Sequence, residues 1–232
     1  MKIYLSKFWT TYFAFVVVFL LVVSLGNKGV IVFADILSAE RSPLIVIDAG
    51  HGGEDGGAIS CTGKLESQLN LEIALRLNDL CHLLGYETKM IRTTDISVYT
   101  EGKTIAAKKA SDLRQRVKIA NETPNSIIIS IHQNTFSDSR YSGAQVFYAK
   151  TAGSKELANI LQRKLTLIDP QNHRREKEAG SVYLMQHLQN TGILIECGFL
   201  SNPKEEAILQ NASYQKMLCA VIVSSLCEYT NA

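Results

Sequence analysis

Four side chains of types that bind metals or transfer protons stand at corresponding places in the sequence. His51 and His132 each come at or just after the end of an apolar segment with strand character, and Glu196 lies at the end of another. Glu66 begins a helical pattern after the loop that follows His51. In a parallel sheet the carboxyl ends of neighbouring strands meet at one edge, where functional groups gather. We therefore expect these four side chains to lie close together.

Two imidazoles and one carboxylate form a set of three zinc ligands that leaves a fourth position open for water, as in zinc hydrolases. His51, Glu66 and His132 supply this set. Spacing alone leaves an alternative open, because the residues form no short motif such as H-E-x-x-H. Each histidine could instead be a hydrogen-bonded structural residue. Their coincidence at predicted strand ends favours the metal site.

A second carboxylate, that of Glu196, lies between the apolar stretches GILI and CGFL. Such surroundings disfavour the charged form and raise the pKa of a carboxyl group toward the value that a proton shuttle needs. Glu196 is therefore the candidate general acid and base. The other acidic residues near His51, which are Asp48, Glu54 and Asp55, are expected to have supporting or solvated roles.

The loop after the first predicted strand, GHGGEDGGA, is rich in glycine, which raises the question of phosphate binding. A dinucleotide site needs G-x-G-x-x-G opening directly into a helix, and here Asp55 occupies the place of the last glycine. The glycines are expected instead to let the backbone fold tightly and to give Glu66 room to reach the same metal as His51.

Apolar segments and helical patterns alternate from residue 43 to the end of the chain. Five segments have strand character, at 44–49, 86–92, 126–134, 144–149 and 192–198. Four patterns predict helices, at 67–84, 111–122, 154–168 and 213–229. The polar stretch 92–112 is expected to be a surface loop that could include a turn of helix. Strands separated by helices of this length predict a single α/β domain. Its twisted, mostly parallel sheet of about six strands is covered by helices on both faces.

The composition is that of an ordinary globular protein, with 46% hydrophobic and 20% charged residues among 232. The net charge is only +2, and basic residues are not interleaved with aromatic ones, so no nucleic-acid partner is expected. Five cysteines are an odd number without a C-x-x-C pair. They indicate neither a disulfide framework nor a cysteine zinc site.

Residues 1–26 are interpreted as an export signal or membrane anchor. Two lysines precede FWTTYFAFVVVFLLVVSL, a stretch without any charge. Its length lies between that of a signal-peptide core, about 7–15 residues, and that of a spanning helix, about 20 residues. We expect residues 27–42 to be a connector and residues 43–232 to form a catalytic domain on the extracytoplasmic face of the membrane.

Six motifs follow one another along residues 43–230. They are IVIDAGHGGEDGGA, GKLESQLNLEIALRL, RTTD, LRQRVKIAN, IISIHQN and ILIECGFLSNPKEEAIL. As a set they resemble the zinc-dependent N-acetylmuramoyl-L-alanine amidases of the amidase-3 type. The resemblance implies that one Zn²⁺ ion is bound by His51, Glu66 and His132, and that Glu196 is the catalytic acid and base.

The resemblance also implies a substrate and a setting. Such enzymes hydrolyse the amide bond between the lactyl group of N-acetylmuramic acid and the L-alanine of the peptidoglycan stem peptide. The short chain with one N-terminal export segment is most similar to the spore-cortex amidases. That likeness implies muramic-δ-lactam formation for germination, a place between the forespore and mother-cell membranes, and a lipoprotein partner that promotes zinc loading.

Substrate contacts are assigned from the chemistry of the stem peptide, whose carboxylates suit the planar fork of arginine. Arg114, in the family-like LRQRVKIAN, is the preferred candidate, together with Gln133 and Asn134 beside the second histidine. Family members often have alanine where Gln133 stands. The further arginine candidates are Arg92, Arg116, Arg174 and Arg175.

Two other functions stay open from the residues alone. A membrane-tethered peptidoglycan-binding or regulatory protein could keep an amidase fold without catalysis, but such a protein is expected to lose a ligand or the glutamate, and all four residues are present. The second alternative is a zinc peptidase with the same ligand types, and the stretch ECGFLSN argues against it.

Overall fold

The structure is a computed structural model that describes residues 42–231. The predicted export segment, 1–26, and nearly all of the predicted connector lie outside these residues. Between residues 42 and 231, no helix combines the length and the apolar character needed to cross a membrane.

The described chain forms six strands and six helices. The strands are β1 (Ile45–Ala49), β2 (Thr88–Met90), β3 (Ile127–Asn134), β4 (Gln145–Tyr148), β5 (Lys177–Glu178) and β6 (Thr191–Phe199). The helices are α1 (Glu66–Leu83), α2 (Ile105–Asn121), α3 (Ser154–Ile168), α4 (Tyr183–His187), α5 (Pro203–Leu209) and α6 (Ala212–Thr230). The predicted α/β fold with about six strands is confirmed.

All six strands belong to one sheet in the order β2-β1-β3-β6-β4-β5. β1 runs parallel to β2 and β3, and β3 runs parallel to β6, whereas β4 is antiparallel to β6. The sheet is thus mostly parallel, as predicted. Because β1, β3 and β6 lie side by side and run in the same direction, their carboxyl ends meet at one edge, and the register there pairs His132 with Glu196.

Helices cover both faces of the sheet because its central strands are apolar on both sides. Successive residues of a strand point to opposite faces. On one face Ile129 and Ile195 pack into a core that includes residues of α1, α3 and α6. On the other, Ile128 and Leu194 pack with residues of α2 and α4. The predicted cover on both faces is therefore confirmed.

The structure differs from the prediction at one helix start and in the shortest elements. α2 begins at Ile105 rather than at residue 111, because the side chain of Thr104 accepts a hydrogen bond from the N–H of Ala107 and caps the helix there. Part of the predicted loop 92–112 is thus helical. β5, α4 and α5 were not predicted, since elements of two to seven residues are too short to show a hydrophobic period.

Candidate metal centre

His51 stands just beyond the end of β1, at the start of the glycine-rich loop. Its backbone has φ of 61°, in the left-handed region that residues other than glycine seldom adopt. Its Nε2 lies 3.3 Å from Oε1 of Glu66, and its Nδ1 lies 3.0 Å from Oδ2 of Asp55. One ring nitrogen therefore faces Glu66 while a carboxylate orients the other.

Glu66 is the first residue of α1, and its side chain is only 5% exposed. Oε2 accepts a hydrogen bond from the N–H of Ala58 at 2.9 Å, and Oε1 accepts one from the N–H of Gln133 at 3.1 Å. Oε1 also lies 3.1 Å from Nδ1 of His132. Backbone donors from the loop and from β3 thus fix the carboxylate between the two imidazoles.

Two glycines let these side chains approach the loop. A Cβ atom at Gly57, where φ is 69°, would lie 2.6 Å from Oε2 of Glu66, and one at Gly50 would lie 2.1 Å from Nε2 of His132. No side chain fits at such distances unless its neighbours move. The expectation that the glycines make room for Glu66 is confirmed, and Gly50 does the same for His132.

The residues present fit a zinc ion. The ligand atoms of His51, Glu66 and His132 all lie within 4.8 Å of one another. The separations of 3.3 Å and 3.1 Å between the imidazole nitrogens and Oε1 of Glu66 are close to the roughly 3.3 Å between two ligands of a tetrahedral Zn²⁺ ion bound at about 2.0–2.1 Å. Both imidazoles are 20% exposed, so solvent or substrate can reach a fourth position.

The charges of the cluster also suit a cation. Burial raises the pKa of the Glu66 carboxyl, but the hydrogen bonds and charges of His132 and His51 outweigh it and lower the pKa far below the ordinary value. Burial lowers the pKa of the His51 imidazole, while Glu66 and Asp55 reverse that effect and raise it overall. Glu66 is therefore ionised at neutral pH, and a metal ion competes with a proton for His51.

Glu196 approaches this cluster from β6. It lies opposite His132 in the register of the sheet, and residues in register point to the same face. Its Oε2 is buried and finds no hydrogen-bond partner among residues 42–231. Burial raises the pKa of Glu196 to about 6, a rise that His132 opposes and Glu66 reinforces. A carboxylate with this pKa and a free oxygen is suited to take up and release a proton near neutral pH.

Two of the predicted substrate contacts are accessible. The side chain of Arg114, on α2, is 52% exposed and pairs with Glu101 at 3.0 Å. Asn134 is partly exposed at the end of β3. Arg174 lies near the same edge of the sheet: its guanidinium is over the ring of Phe199, 4.5 Å from the ring centre, and its Nη1 donates to Oε1 of Gln145, the residue that pairs with Glu196.

Gln133, the third predicted contact, is buried on the far side of its strand. Its side-chain nitrogen donates to Oδ1 of Asn70 on α1 at 3.2 Å, and Nδ2 of Asn70 donates in turn to the carbonyl of Gly50 at 3.1 Å. Neighbouring residues of a strand point to opposite faces, so this side chain points away from that of His132. The side chain of Gln133 therefore contacts α1, the helix that begins at Glu66, and lies on the opposite face of the sheet from the side chain of His132.

The buried charges beneath the loop leave no signal in the sequence pattern. Asp48 is 1% exposed, accepts a hydrogen bond from Oγ of Ser130 at 2.6 Å and pairs with Arg116, so it is a supporting residue and not a solvated one. Arg92 and Arg116, both considered for substrate binding, are 2% exposed and donate instead to the carbonyls of Gly50 and His51. No local pattern marks a buried arginine, because its burial depends on elements distant in sequence.

Comparisons with known proteins agree on the family. Residues 45–228 match the family described as N-acetylmuramoyl-L-alanine amidase, Amidase_3. The chain is 39% identical over 189 residues to the germination-specific N-acetylmuramoyl-L-alanine amidase of Bacillus subtilis, a match that covers 80% of this chain and 79% of that protein. It is 30% identical over 188 residues to the amidase LytC of the same species, of which it spans only 35%.

Solved structures show the same architecture. The CwlD amidase from Clostridioides difficile, in complex with the GerS lipoprotein, is 36% identical and superimposes with a TM-score of 0.78 over 82% of this chain and 98% of that one. An N-acetylmuramoyl-L-alanine amidase from Clostridium difficile 630 is 30% identical, with a TM-score of 0.73 over 83% and 99% of the two chains. The family match spans the whole sheet together with His51, Glu66, His132 and Glu196, and the chain therefore belongs to the N-acetylmuramoyl-L-alanine amidases.

Proposed function

We propose that this protein is a zinc-dependent amidase that frees stem peptides from peptidoglycan by hydrolysing the amide bond between the muramoyl lactyl group and L-alanine. The observation that carries the proposal is the convergence of His51, Glu66 and His132 in a chain of this family, beside Glu196, whose buried Oε2 has no hydrogen-bond partner among residues 42–231. A non-catalytic binding protein would have no need of a buried carboxylate that lacks a partner, since such a group is costly.

Each of the four residues has a distinct part in the proposed reaction. His51, Glu66 and His132 would bind the ion, and bound Zn²⁺ supplies Lewis acidity that polarises the scissile carbonyl and lowers the pKa of water. Glu196 accepts a proton from the attacking water and returns it to the leaving amine of the peptide, without which the amide bond does not break. The pKa of about 6 leaves Glu196 ionised at neutral pH, ready to accept that proton.

The test is peptide release from peptidoglycan by the purified full-length protein supplied with Zn²⁺. New L-alanine amino termini and intact glycan strands are expected, and a chelator should stop the reaction. Glu196→Gln is the matched control, because it keeps the shape of the side chain and the three metal ligands. Binding without release by the parent protein would point to the non-catalytic alternative, and new amino termini within the stem would point to a peptidase.

We further propose that the substrate is spore-cortex peptidoglycan and that the product leads to muramic-δ-lactam needed for germination. The support is the 39% identity to a germination-specific amidase over 79% of its length, together with the structural likeness to CwlD. Deleting the gene in its host should give spores whose cortex lacks muramic-δ-lactam, measured by muropeptide chromatography. A normal cortex in those spores would contradict this assignment.

A lipoprotein partner that promotes zinc loading is proposed from one relative, since the CwlD structure is of a complex with the GerS lipoprotein. Co-purification from sporulating cells, with zinc quantified in the free and bound protein, is the test. More zinc per chain in the complex is expected, and equal zinc content would contradict a loading role.

The proposed location is the extracytoplasmic face of a membrane, between forespore and mother cell, with residues 1–26 as export signal or anchor. The support is the uncharged stretch behind two lysines. Protease treatment of protoplasts from non-sporulating cells that express the protein tests the extracytoplasmic orientation. Digestion before lysis is expected, and digestion only after lysis would contradict it.

A further inference from the structure

The backbone that presents His51 is bound from beneath by two buried arginines. Arg92 donates through Nε to the carbonyl of Ala49 at 2.8 Å and through Nη2 to that of Gly50 at 3.0 Å. Arg116 donates through Nη1 to the carbonyl of Ala49 at 2.9 Å and through Nη2 to that of His51 at 2.6 Å. Three consecutive carbonyls at the end of β1 are thus all bound by guanidinium groups.

The two arginines also join this backbone to other parts of the site. Nη2 of Arg92 donates to the carbonyl of Ser67, in the first turn of α1 next to Glu66, at 2.8 Å. The same nitrogen therefore bridges the segment that carries His51 and the helix that carries Glu66. Arg92 thereby links the backbone segments of two of the proposed ligands.

Arg116 has a different set of partners. Its guanidinium pairs with Asp48 of β1, and its Nε donates to Oδ2 of Asp112 at 2.6 Å. A buried charge is stabilised only when it is both paired and hydrogen-bonded, and Arg116 meets both conditions at the base of the loop. Its raised pKa, to which Asp48 and Asp112 contribute against the effect of burial, keeps this fork permanently charged.

The conformation held in this way is a strained one. His51 has φ of 61°, which a side chain with a Cβ atom adopts only where the surroundings impose it. If the backbone at His51 relaxed to an ordinary extended or helical conformation, its imidazole would turn away from Glu66 and His132. The carbonyl of His51 is the group through which Arg116 opposes that relaxation.

We propose that Arg92 and Arg116 are positioning residues of the metal centre. They hold the carbonyls of residues 49–51 so that the left-handed His51 presents Nε2 toward Glu66 and His132 before any metal arrives. The proposal rests on the metal centre described under the proposed function. It assigns both arginines to metal affinity and coordination geometry, and not to contact with the substrate.

The experiment compares Arg116→Lys with Arg114→Lys in the full-length protein. Lysine keeps the positive charge but cannot bind Asp48, Asp112 and two carbonyls at once, because it lacks the planar fork. Arg114 lies on the same helix but is exposed and pairs with Glu101, so Arg114→Lys makes the same chemical change at a residue that does not bind the loop carbonyls. Zn²⁺ affinity is measured by chelator competition, and the site geometry by the visible absorption of bound Co²⁺.

We expect Arg116→Lys to weaken Zn²⁺ binding by about 10–100-fold, the usual effect of losing a group that orients a ligand, and to alter the Co²⁺ spectrum. Arg114→Lys should leave both unchanged. The measurements are made well below the thermal unfolding midpoint of each metal-free variant. If Arg116 only stabilised the fold, its replacement would lower that midpoint but leave the Zn²⁺ affinity and the Co²⁺ spectrum as in the parent.

Arg92→Lys is the second variant if Arg116→Lys does not fold, and the same changes in affinity and spectrum are expected of it. Parent-like Zn²⁺ affinity and Co²⁺ spectra in the folded arginine variants would overturn the positioning role while leaving the metal centre intact. A parent protein that binds neither Zn²⁺ nor Co²⁺ would overturn the metal centre itself, and the positioning role with it.

Discussion

The two carboxylates of the site, those of Glu66 and Glu196, have opposite surroundings. Burial raises the pKa of Glu66, but the hydrogen bonds and charges of His132 and His51 outweigh it and lower the pKa overall. Glu196 has an oxygen that finds no hydrogen-bond partner within the described part of the chain, and burial raises its pKa to about 6. The difference teaches that surroundings suit neighbouring acids to different work: the one that stays ionised is suited to a cation, and the one with the raised pKa is suited to exchange a proton.

Replacing Glu66, the carboxylate that accepts hydrogen bonds, should have the largest effect. Glu66→Gln removes the anionic ligand between the two imidazoles, so zinc content and amidase activity are expected to disappear together. Metal analysis of the dialysed protein and a peptide-release assay measure the two quantities. If the variant retained one zinc per chain, Glu66 would not be the cation-binding acid, and the contrast drawn between Glu66 and Glu196 would be wrong.

Replacing Glu196 should separate zinc content from amidase activity. Glu196→Gln is expected to keep zinc at the parent level and to lose activity by about 10²–10⁴-fold, since a general acid and base contributes that much. Single-turnover peptide release and zinc analysis of the same preparation test this. If activity stayed within a few-fold of the parent, the proton role would belong to another group.

A smaller effect is expected at Asp55, which orients Nδ1 of His51. Asp55→Asn keeps the size of the side chain but loses the charge that steers the imidazole, and the affinity for zinc should fall by about 10–100-fold. Chelator competition measures the change, and Glu54→Gln in the same loop is the control. Equal affinities in the two variants would show that Asp55 only solvates the loop.

The last prediction concerns stability without metal. The pKa of Glu196 rises from 4.5 to about 6 on folding, so its ionisation opposes folding. This free-energy cost of folding is absent below about pH 4.5, grows as the pH rises to about 6, and is fully present above about pH 6. At about 1.4 kcal/mol per pKa unit, the full cost is roughly 2 kcal/mol. Metal-free Glu196→Gln should therefore be more stable than the parent at pH 7–8 and about equally stable at pH 4. Denaturant unfolding at both pH values measures this, and a variant less stable at pH 7 would contradict it.

The main elements of the fold were predictable from local sequence. β1, β3 and β6 are continuous apolar runs because they are buried on both faces, and α3 has the bounds predicted from its period. The antiparallel direction of β4 was not predictable, since strand direction leaves no mark on the pattern of one strand. The early start of α2 depends on the single cap of Thr104 and was missed for that reason.

For the site, the sequence determined the residue types and their places at strand ends, because apolar runs identify central strands and parallel strands end at one edge. His51, Glu66, His132 and Glu196 come together in the structure where this reasoning expects them. The resemblance of the surrounding motifs already implied their roles.

Only the tertiary structure decided what surrounds each group. It placed Asp55 against His51 and buried Arg92 and Arg116 beneath the loop, and among residues 42–231 it gave one oxygen of Glu196 no hydrogen-bond partner. The physical reason is that burial, hydrogen bonding and pKa are properties of contacts between segments distant in sequence. A local stretch of residues specifies its own strand or helix, but not the side chains that other elements bring against it.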